Sequence, residues 1–170
     1  MKALQHTATE LGRPLRILGA VEAANEAQKL RLVEKIVERL GPDLEGRRFA
    51  VWGLAFKPNT DDVREAPSLE IIAALIGRGA DVMAYDPVAM PAARRALGVA
   101  PHLAFAATPM DAVAGADALI VVTEWKEFRS PDFGALAAAL KEPLLFDGRN
   151  LYDPALVRAA GLEYFSIGRR

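Results

Sequence analysis

Short apolar runs alternate with amphipathic segments from about residue 47 to the end of the chain. The apolar runs predict strands at residues 48–54, 80–85, 103–105, 117–122, 143–146 and 163–166. The intervening segments predict helices at residues 68–78, 89–97, 108–114, 132–140 and 154–160. The run at 117–122, DALIVV, is typical of a central parallel strand buried on both faces. The alternation therefore predicts an α/β fold, a Rossmann-like doubly wound parallel sheet over residues 47–170.

The segment before this domain, residues 1–46, predicts helices. Residues 1–12 predict a short helix, and residues 15–40 predict a long helix that ends at Gly41-Pro42. The apolar stripe of the long helix changes side at its middle, reckoned at about 100° per residue. The first stripe comprises Ile17, Ala20, Ala24 and Ala27, and the second comprises Leu30, Val33, Ile36, Val37 and Leu40. We expect the second half to pack on the α/β domain and the first half on a partner helix or a further domain; a single irregular core is the alternative.

Composition argues against several classes of function. The 170 residues are 52% hydrophobic, and the net charge of −1 with scattered Lys and Arg argues against a nucleic-acid surface. The sequence contains no apolar run long enough to span a bilayer, and its start lacks the apolar core of a signal peptide, so a cytoplasmic protein without a membrane partner is expected. There is no cysteine, and the two histidines, His6 and His102, lie far apart, so no metal site is expected.

The connection between the first predicted strand and the next helix, residues 53–68, carries an unusual density of charge: GLAFKPNTDDVREAPS. Dinucleotide-binding Rossmann units have G-x-G-x-x-G at this turn, so that the backbone can approach a pyrophosphate. Here Gly53 is present, but Ala and Pro occupy the other two glycine positions. Lys57 offers a point charge and Arg64 a planar fork of donors, which indicates an anionic ligand held by side chains. A solvated loop with internal ion pairs is the alternative.

Several motifs are spread in order along the chain: NEAQK at 25–29, the loop at 53–68, YDP at 85–87, TEW at 123–125 with Phe128, DGRN at 147–150 and YFSIGR at 164–169. Together they resemble the C-terminal domain of the UDP-glucose/GDP-mannose dehydrogenase family. The resemblance implies an enzyme that converts UDP-glucose to UDP-glucuronate, with two NAD reduced, through a covalent intermediate on a cysteine. It also implies a separate NAD domain with a glycine fingerprint. Because this sequence contains neither, we expect a C-terminal UDP-binding fragment that is inactive alone and leaves most NAD contacts to the missing domain.

Four residues match positions to which the resemblance assigns ligand contacts. Phe56 and Lys57 match a pair that contacts the nucleotide sugar, and Arg149 matches an arginine that binds the UDP part of the substrate. Arg64 matches an arginine that reaches NAD on the other domain. The plainer alternatives are core packing for Phe56 and a solvated side chain for Lys57.

The acidic residues near these positions are expected to brace loops, and no catalytic residue is assigned. Arg149 has an ion pair with Asp147 or Asp153 as its alternative, and Arg64 has a pair with an acid of its own loop. The two adjacent aspartates of that loop are expected to hold it by hydrogen bonds. Asp86 follows the second predicted strand and, with a proline after it, indicates a turn rather than a ribose contact.

The resemblance also implies a homodimer, because the family's long central helix joins its two domains and builds a dimer. In this chain that helix is the one predicted at residues 15–40. Three alternatives stay open: the same family acting on GDP-mannose or a UDP-N-acetyl sugar, a free-standing nucleotide-sugar-binding module, and a dimerisation piece that binds nothing alone.

Overall fold

The computed structural model of the chain describes residues 2–13, 15–98 and 100–169. Within them, the strands are β1 (Arg48–Trp52), β2 (Asp81–Tyr85), β3 (Leu103–Phe105), β4 (Ala118–Val121), β5 (Leu144–Asp147) and β6 (Glu163–Ser166). The α-helices are α1 (Lys2–Glu10), α2 (Arg16–Leu40), α3 (Pro67–Ile76), α4 (Met90–Leu97), α5 (Pro109–Val113), α6 (Phe133–Ala139) and α7 (Pro154–Ala159). A short 3₁₀ helix, Lys126–Phe128, was not predicted.

The described strands form one parallel sheet in the order β3-β2-β1-β4-β5-β6. β1 lies at its centre, with Val51 beside Ala84 of β2 and Ile120 of β4. The chain therefore winds outward in both directions from β1, and the boundary between β1 and β4 is the switch point at which open α/β sheets bind ligands. The predicted Rossmann-like doubly wound sheet, preceded by a long helix, is confirmed.

The central strands are buried because helices cover both faces of the sheet. Every residue of β4 and of β5 is buried, as the continuous apolar run at 117–122 predicted for β4. β1 ends two residues earlier than predicted, because Gly53 adopts a φ of 90° that turns the chain out of the sheet. α3 then begins at Pro67, a favourable first residue for a helix.

α2 packs on the α/β unit with its second half only. Leu32, Val33 and Ile36 are buried, whereas Ile17 in the first half is 81% exposed. The predicted packing of the second half on the α/β domain is confirmed, but the prediction that Leu30 belongs to the packed stripe is wrong. Leu32 packs on the α/β unit instead. Its side chain lies against Gly148, just after β5, where the absence of a β-carbon leaves room for it. The expected partner of the first half stays a prediction. The division of the chain at residue 46 stays a prediction.

Candidate functional site

A cavity of about 740 Å³ opens between α2 and the carboxyl ends of the central strands. Its wall on the sheet side comes from segments that follow β1, β4 and β5, and includes Phe56, Val122 and Arg149. Its opposite wall comes from α2, through Glu22, Asn25, Glu26, Gln28, Lys29 and Leu32. The cavity thus lies at the switch point of the sheet, where the fold places ligands.

The loop between β1 and α3, residues 53–66, is held by bonds within itself. The backbone N–H of Phe56 donates to the carbonyl of Asp62 at 2.8 Å. The Asp62 carboxylate accepts the backbone N–H of Arg64 at 3.0 Å and the guanidinium N–H groups at 2.9 and 2.7 Å. The hydrogen bonds from Arg64 lower the pKa of Asp62 to about 2. Asp62 therefore braces the loop, as predicted, and holds the backbone at Phe56.

Asp86, at the end of β2, is fully buried. Its Oδ2 atom accepts the backbone N–H groups of Leu54 and Ala55, at 2.7 and 3.1 Å, and the indole N–H of Trp125, at 2.9 Å. Its Oδ1 atom accepts two backbone N–H groups of the turn that follows β2, at 2.9 and 2.7 Å. The predicted turn is present, and the same carboxylate also joins two loops that are distant in sequence.

Arg149, presented by the DGRN segment after β5, forms a bidentate ion pair with Glu124. Its Nη2 atom donates to Oε1 at 2.8 Å, and its Nε atom donates to Oε2. The hydrogen bonds from Arg149 lower the pKa of Glu124. The guanidinium keeps its Nη1 N–H groups outside this pair, because arginine carries five donors in a planar fork.

The predicted alternative, an ion pair of Arg149 with Asp147 or Asp153, is wrong. The buried Asp147 carboxylate accepts backbone N–H groups, among them that of Arg149 at 2.9 Å, and the Tyr164 hydroxyl at 2.7 Å. Asp153 accepts the N–H of Ala155 at 2.8 Å, at the start of α7. Both aspartates are therefore used for local structure, and Glu124 at the end of the neighbouring strand takes the guanidinium.

Three non-glycine residues of the described chain have φ in the left-handed region: Asn59 at 63°, Glu65 at 59° and Asn150 at 53°. All lie in the two loops that border the cavity, after β1 and after β5. Such conformations cost about 1–3 kcal/mol each and concentrate at binding sites. The Asn150 side chain is fixed by two bonds to the backbone of Ile167, at 2.9 and 3.0 Å. This pairing keeps Ile167 on the cavity wall.

Lys29 joins α2 to the segment around the start of α3. Its Nζ atom donates to Glu26 at 2.9 Å and to Glu70 at 2.6 Å, and lies 3.5 Å from Glu65. Although burial alone would lower it, the hydrogen bonds with Glu70 and Glu26 hold the pKa of Lys29 above its usual value. Lys29 belongs to the NEAQK motif, which predicts no role for it, because Glu26 is the only one of these partners that lies near it in sequence.

The four residues predicted to bind ligand lie in different places. Phe56 and Arg149 meet at the cavity, and Phe56 is 52% exposed rather than packed in the core. Lys57 is exposed beside Phe56 but does not line the cavity. Arg64 is paired with Asp62, its side chain is 87% exposed, and it borders a separate shallow depression with Arg95.

Metal-ligating side chains do not cluster in the described part of the chain. There, no group of three or more His, Asp or Glu side chains is arranged to hold a metal ion. His102 pairs with Asp81 at 2.9 Å, whereas the side chain of His6 lies outside the described atoms. None of the described helices is both long enough and apolar enough to cross a bilayer.

Comparison with known proteins gives concordant matches. Residues 50–154 match the profile of the UDP-glucose/GDP-mannose dehydrogenase family, UDP binding domain. The chain is 49% identical over 172 residues to UDP-glucose 6-dehydrogenase of Pseudomonas aeruginosa, a match that covers 99% of this chain and 38% of that protein. It is 42% identical over 167 residues to UDP-glucose 6-dehydrogenase of Rhizobium meliloti, covering 98% of this chain and 38% of that protein.

A solved structure gives the same relationship in three dimensions. A UDP-glucose dehydrogenase from Pyrobaculum islandicum superposes with a TM-score of 0.78 at 34% identity, covering 96% of this chain and 34% of that one. This chain therefore spans less than two fifths of the length of each of these relatives. Since the family profile runs from within β1 to the start of α7, with both cavity loops, the chain belongs to the UDP-glucose/GDP-mannose dehydrogenase family.

Proposed function

We propose that this chain is the UDP-sugar-binding part of an NAD-dependent UDP-glucose 6-dehydrogenase, which converts UDP-glucose to UDP-glucuronate and reduces two NAD. The observation that carries the proposal is the meeting of Phe56 and Arg149 at one cavity on the switch point of the sheet. The cavity volume of about 740 Å³ lies within the range of roughly 300–1,000 Å³ usual for small-molecule sites. The relatives named UDP-glucose 6-dehydrogenase support the choice of substrate.

The cavity suits a nucleotide diphosphate joined to a sugar. Arg149 has N–H groups outside its pair with Glu124, and a guanidinium binds phosphate or carbonyl oxygens through such donors. The apolar side chains of Phe56, Ile71 and Ile167 offer packing to a ring. Lys57 is an exposed residue next to Phe56. We propose that its ammonium group binds the charged phosphates and the hydroxyl groups of the ligand. These residues bind and orient the substrate, which lowers the entropic part of the barrier.

The turn after β1 lacks the features with which a dinucleotide-binding turn holds NAD. Gly53 is the one glycine of the fingerprint positions, and the acid at the end of β2, Asp86, is buried. We therefore propose that NAD is held mainly by another part of the enzyme, with Arg64 reaching toward it. Hydride transfer and the cysteine chemistry implied by the family are assigned to that other part, because this chain contains no cysteine. The chain alone is expected to be inactive.

We further propose a cytoplasmic homodimer that forms through the first half of α2. Ile17 and Val21 project apolar side chains from this half, 81% and 40% exposed in the single chain. A second copy of the helix would remove this apolar surface from water, at about 25 cal/mol for each Å² buried. No nucleic acid is proposed as a partner, in keeping with the net charge of −1.

The proposal is tested by titrating UDP-glucose, UDP and GDP-mannose into the chain in a calorimeter. We expect UDP and UDP-glucose to bind, and Arg149→Ala to weaken UDP by about tenfold to a hundredfold, as expected for a lost charge-assisted hydrogen bond. Lys57→Ala and Phe56→Ala should each weaken UDP-glucose. Arg158→Ala, an exposed arginine on α7, is the matched control and should leave binding unchanged.

Other results would select another function. Binding of GDP-mannose in preference to UDP-glucose would place the chain with a different sugar nucleotide of the same family. Failure of all three nucleotides to bind the folded chain would overturn the proposal and leave a dimerisation piece. UDP binding that survives all three site variants would put the nucleotide elsewhere on the chain.

A further inference from the structure

Asp86 stands where a dinucleotide-binding Rossmann unit carries the acid that binds a ribose hydroxyl. In this chain the side chain is 0% exposed, and its two oxygens accept five N–H groups. A carboxylate has about four lone-pair sites. The acceptor capacity of Asp86 is therefore used within the protein, and this position has another task.

Three of the five donors that reach Asp86, all of them on Oδ2, come from two segments that border the ligand site, after β1 and after β4. Leu54 and Ala55 immediately precede Phe56, and their backbone N–H groups both donate to Oδ2. Trp125 immediately follows Glu124, and its indole N–H donates to the same oxygen at 2.9 Å. One buried atom thus fixes the distance between the loop after β1 and the segment after β4.

A second contact between the same segments supports this link. The Thr123 hydroxyl donates to the carbonyl of Ala55 at 2.6 Å, in the protein interior. Gly53 packs so closely on Thr123 that a β-carbon there would lie 2.6 Å from the Thr123 backbone nitrogen. The two segments are therefore packed as one unit, with Asp86 at their junction.

We infer that Asp86 is a positioning residue of the nucleotide-sugar site. Its carboxylate holds the backbone before Phe56 against the segment of Glu124, and Glu124 in turn orients the guanidinium of Arg149. Asp86 touches no ligand itself and acts through these residues. The inference rests on the proposed function, since it assigns the purpose of the brace to UDP-sugar binding.

Asp86→Asn tests this arrangement with little change of size. Only one of the two oxygens remains, so whichever way the amide turns, its N–H₂ group faces backbone or indole donors. We expect UDP affinity to fall by about tenfold or more. Trp125→Phe removes one donor and puts a smaller aromatic ring in place of the indole, and a smaller loss is expected, of about twofold to fivefold.

Asp117→Asn is the matched control. Asp117 is also a buried aspartate, and it accepts the backbone N–H of Arg48 at 2.7 Å. It lies just before β4, at the amino ends of the strands, whereas the cavity lies at their carboxyl ends. Urea unfolding is measured for each variant, so that its loss of UDP affinity can be compared with its loss of stability. Hydrogen exchange at the backbone amides of Leu54 and Ala55, which donate to Asp86, supplies a readout that does not depend on nucleotide.

The inference requires Asp86→Asn to lose UDP affinity and to accelerate exchange at the Leu54 and Ala55 amides, while Asp117→Asn leaves UDP affinity and exchange unchanged. It is overturned if the two variants lose UDP affinity equally, or if Asp86→Asn binds UDP as the parent does. If Asp86→Asn does not fold, Trp125→Phe decides by the same two readouts. A parent chain that binds no UDP overturns the proposed function, whereas unchanged exchange in a folded Asp86→Asn or Trp125→Phe chain overturns the brace.

Discussion

The carboxylate of Glu124 holds the guanidinium of Arg149 across the boundary between β4 and β5, 25 positions apart in the sequence. The pair occupies Nε and one N–H of Nη2, so the remaining donors have a fixed direction. Its side chains are 43% and 26% exposed, for Arg149 and Glu124 respectively. The pair is therefore screened by solvent, and its value to the site is orientation more than stability.

Glu124→Gln is expected to weaken UDP binding about threefold to tenfold, because the fork of Arg149 loses a charged anchor. Loss of the Glu124 charge also removes repulsion of the diphosphate, but at physiological salt the screening length of about 8 Å keeps this gain small. Calorimetry at low and physiological salt separates the two effects, and the loss should be smaller at low salt.

Glu127→Gln is the control for this prediction, since Glu127 lies on the next turn and accepts the Tyr85 hydroxyl at 3.2 Å. It should leave UDP affinity unchanged. Tighter binding by Glu124→Gln at both salt concentrations would contradict the prediction and make Glu124 a competitor of the ligand.

The Lys29 cluster is expected to stabilise the fold by more than a surface ion pair does. The Lys29 side chain is 11% exposed, and its ammonium group joins α2 to Glu70 of α3. Lys29→Met should lower the free energy of unfolding by about 1–2 kcal/mol. The loss is smaller than for a fully buried ion pair, because water partly screens the charges of the glutamates. Urea denaturation measures the change.

Arg31→Met, on the same helix, provides the comparison. Arg31 pairs with Glu34 on the exposed surface, so its loss should cost less than about 0.5 kcal/mol. Equal shifts for Arg31→Met and Lys29→Met would show that the Lys29 cluster adds nothing beyond a surface pair.

The proposed dimer predicts that Ile17→Glu yields a folded monomer. Ile17 is 81% exposed in the single chain, so the new charge disturbs only a surface between copies. Sedimentation equilibrium over a range of concentrations measures the assembly. Leu156→Glu, at a 63% exposed leucine on α7, should remain dimeric. A parent chain that is monomeric at high concentration would rule out this interface.

The sheet could be predicted from the sequence because its signals are local. The run at 117–122 is apolar at successive positions, since β4 is covered on both faces, and this alone indicates a central strand. Asp86 shows the limit of such reasoning. Its bonds to the following turn lie within three residues and were predicted as a turn, whereas its bonds to Leu54 and Trp125 span 32 and 39 residues.

The same limit explains the errors at the site. Asp147 and Asp153 are the nearest acids to Arg149 in sequence, but the adjacency of β4 and β5 brings Glu124 to it instead. Leu30 was assigned to the packed face of α2, yet the groove beside residue 148 admits Leu32. In each case the partner is set by strand order and by space at a distant backbone position, which periodicity does not encode.

Alkaline pH is expected to unfold the chain in a step coupled to tyrosine ionisation. Burial, together with the nearby charge of Asp147, raises the pKa of Tyr152 and of Tyr164. In the unfolded chain tyrosine ionises near its ordinary pKa of about 10. Because the folded state keeps its protons where the unfolded state loses them, stability is present below about pH 10 and falls as pH rises above it.

Tyrosinate absorbance and far-UV circular dichroism test this coupling and should change together. Tyr164→Phe should lower stability at neutral pH, since Asp147 loses a hydrogen bond, and should flatten the decline above pH 10. Lysine titration contributes to the same decline but not to tyrosinate absorbance. Tyrosinate formation near pH 10 with unchanged circular dichroism would contradict the prediction.

Gly53 makes the close approach of β1 and β4 possible, and Gly53→Ala is expected to disrupt it. A β-carbon there would lie 2.6 Å from both the β-carbon and the backbone nitrogen of Thr123, in a residue with a φ of 90°. Gly161→Ala separates the two causes, because Gly161 has a φ of 89° and open space around it. Gly161→Ala should cost about 1–2 kcal/mol for backbone conformation alone, and Gly53→Ala about 3–5 kcal/mol.

Urea denaturation gives both values, and their difference measures the steric contact at Thr123. The same contact supports the loop of Phe56, through the Thr123 hydroxyl bond to the carbonyl of Ala55 at 2.6 Å. Gly53→Ala should therefore weaken UDP binding as well, whereas Gly161→Ala should not. Equal losses of stability for the two glycines would mean that the β1 and β4 segments yield to the added methyl group, and the close packing argued for this edge would then be wrong.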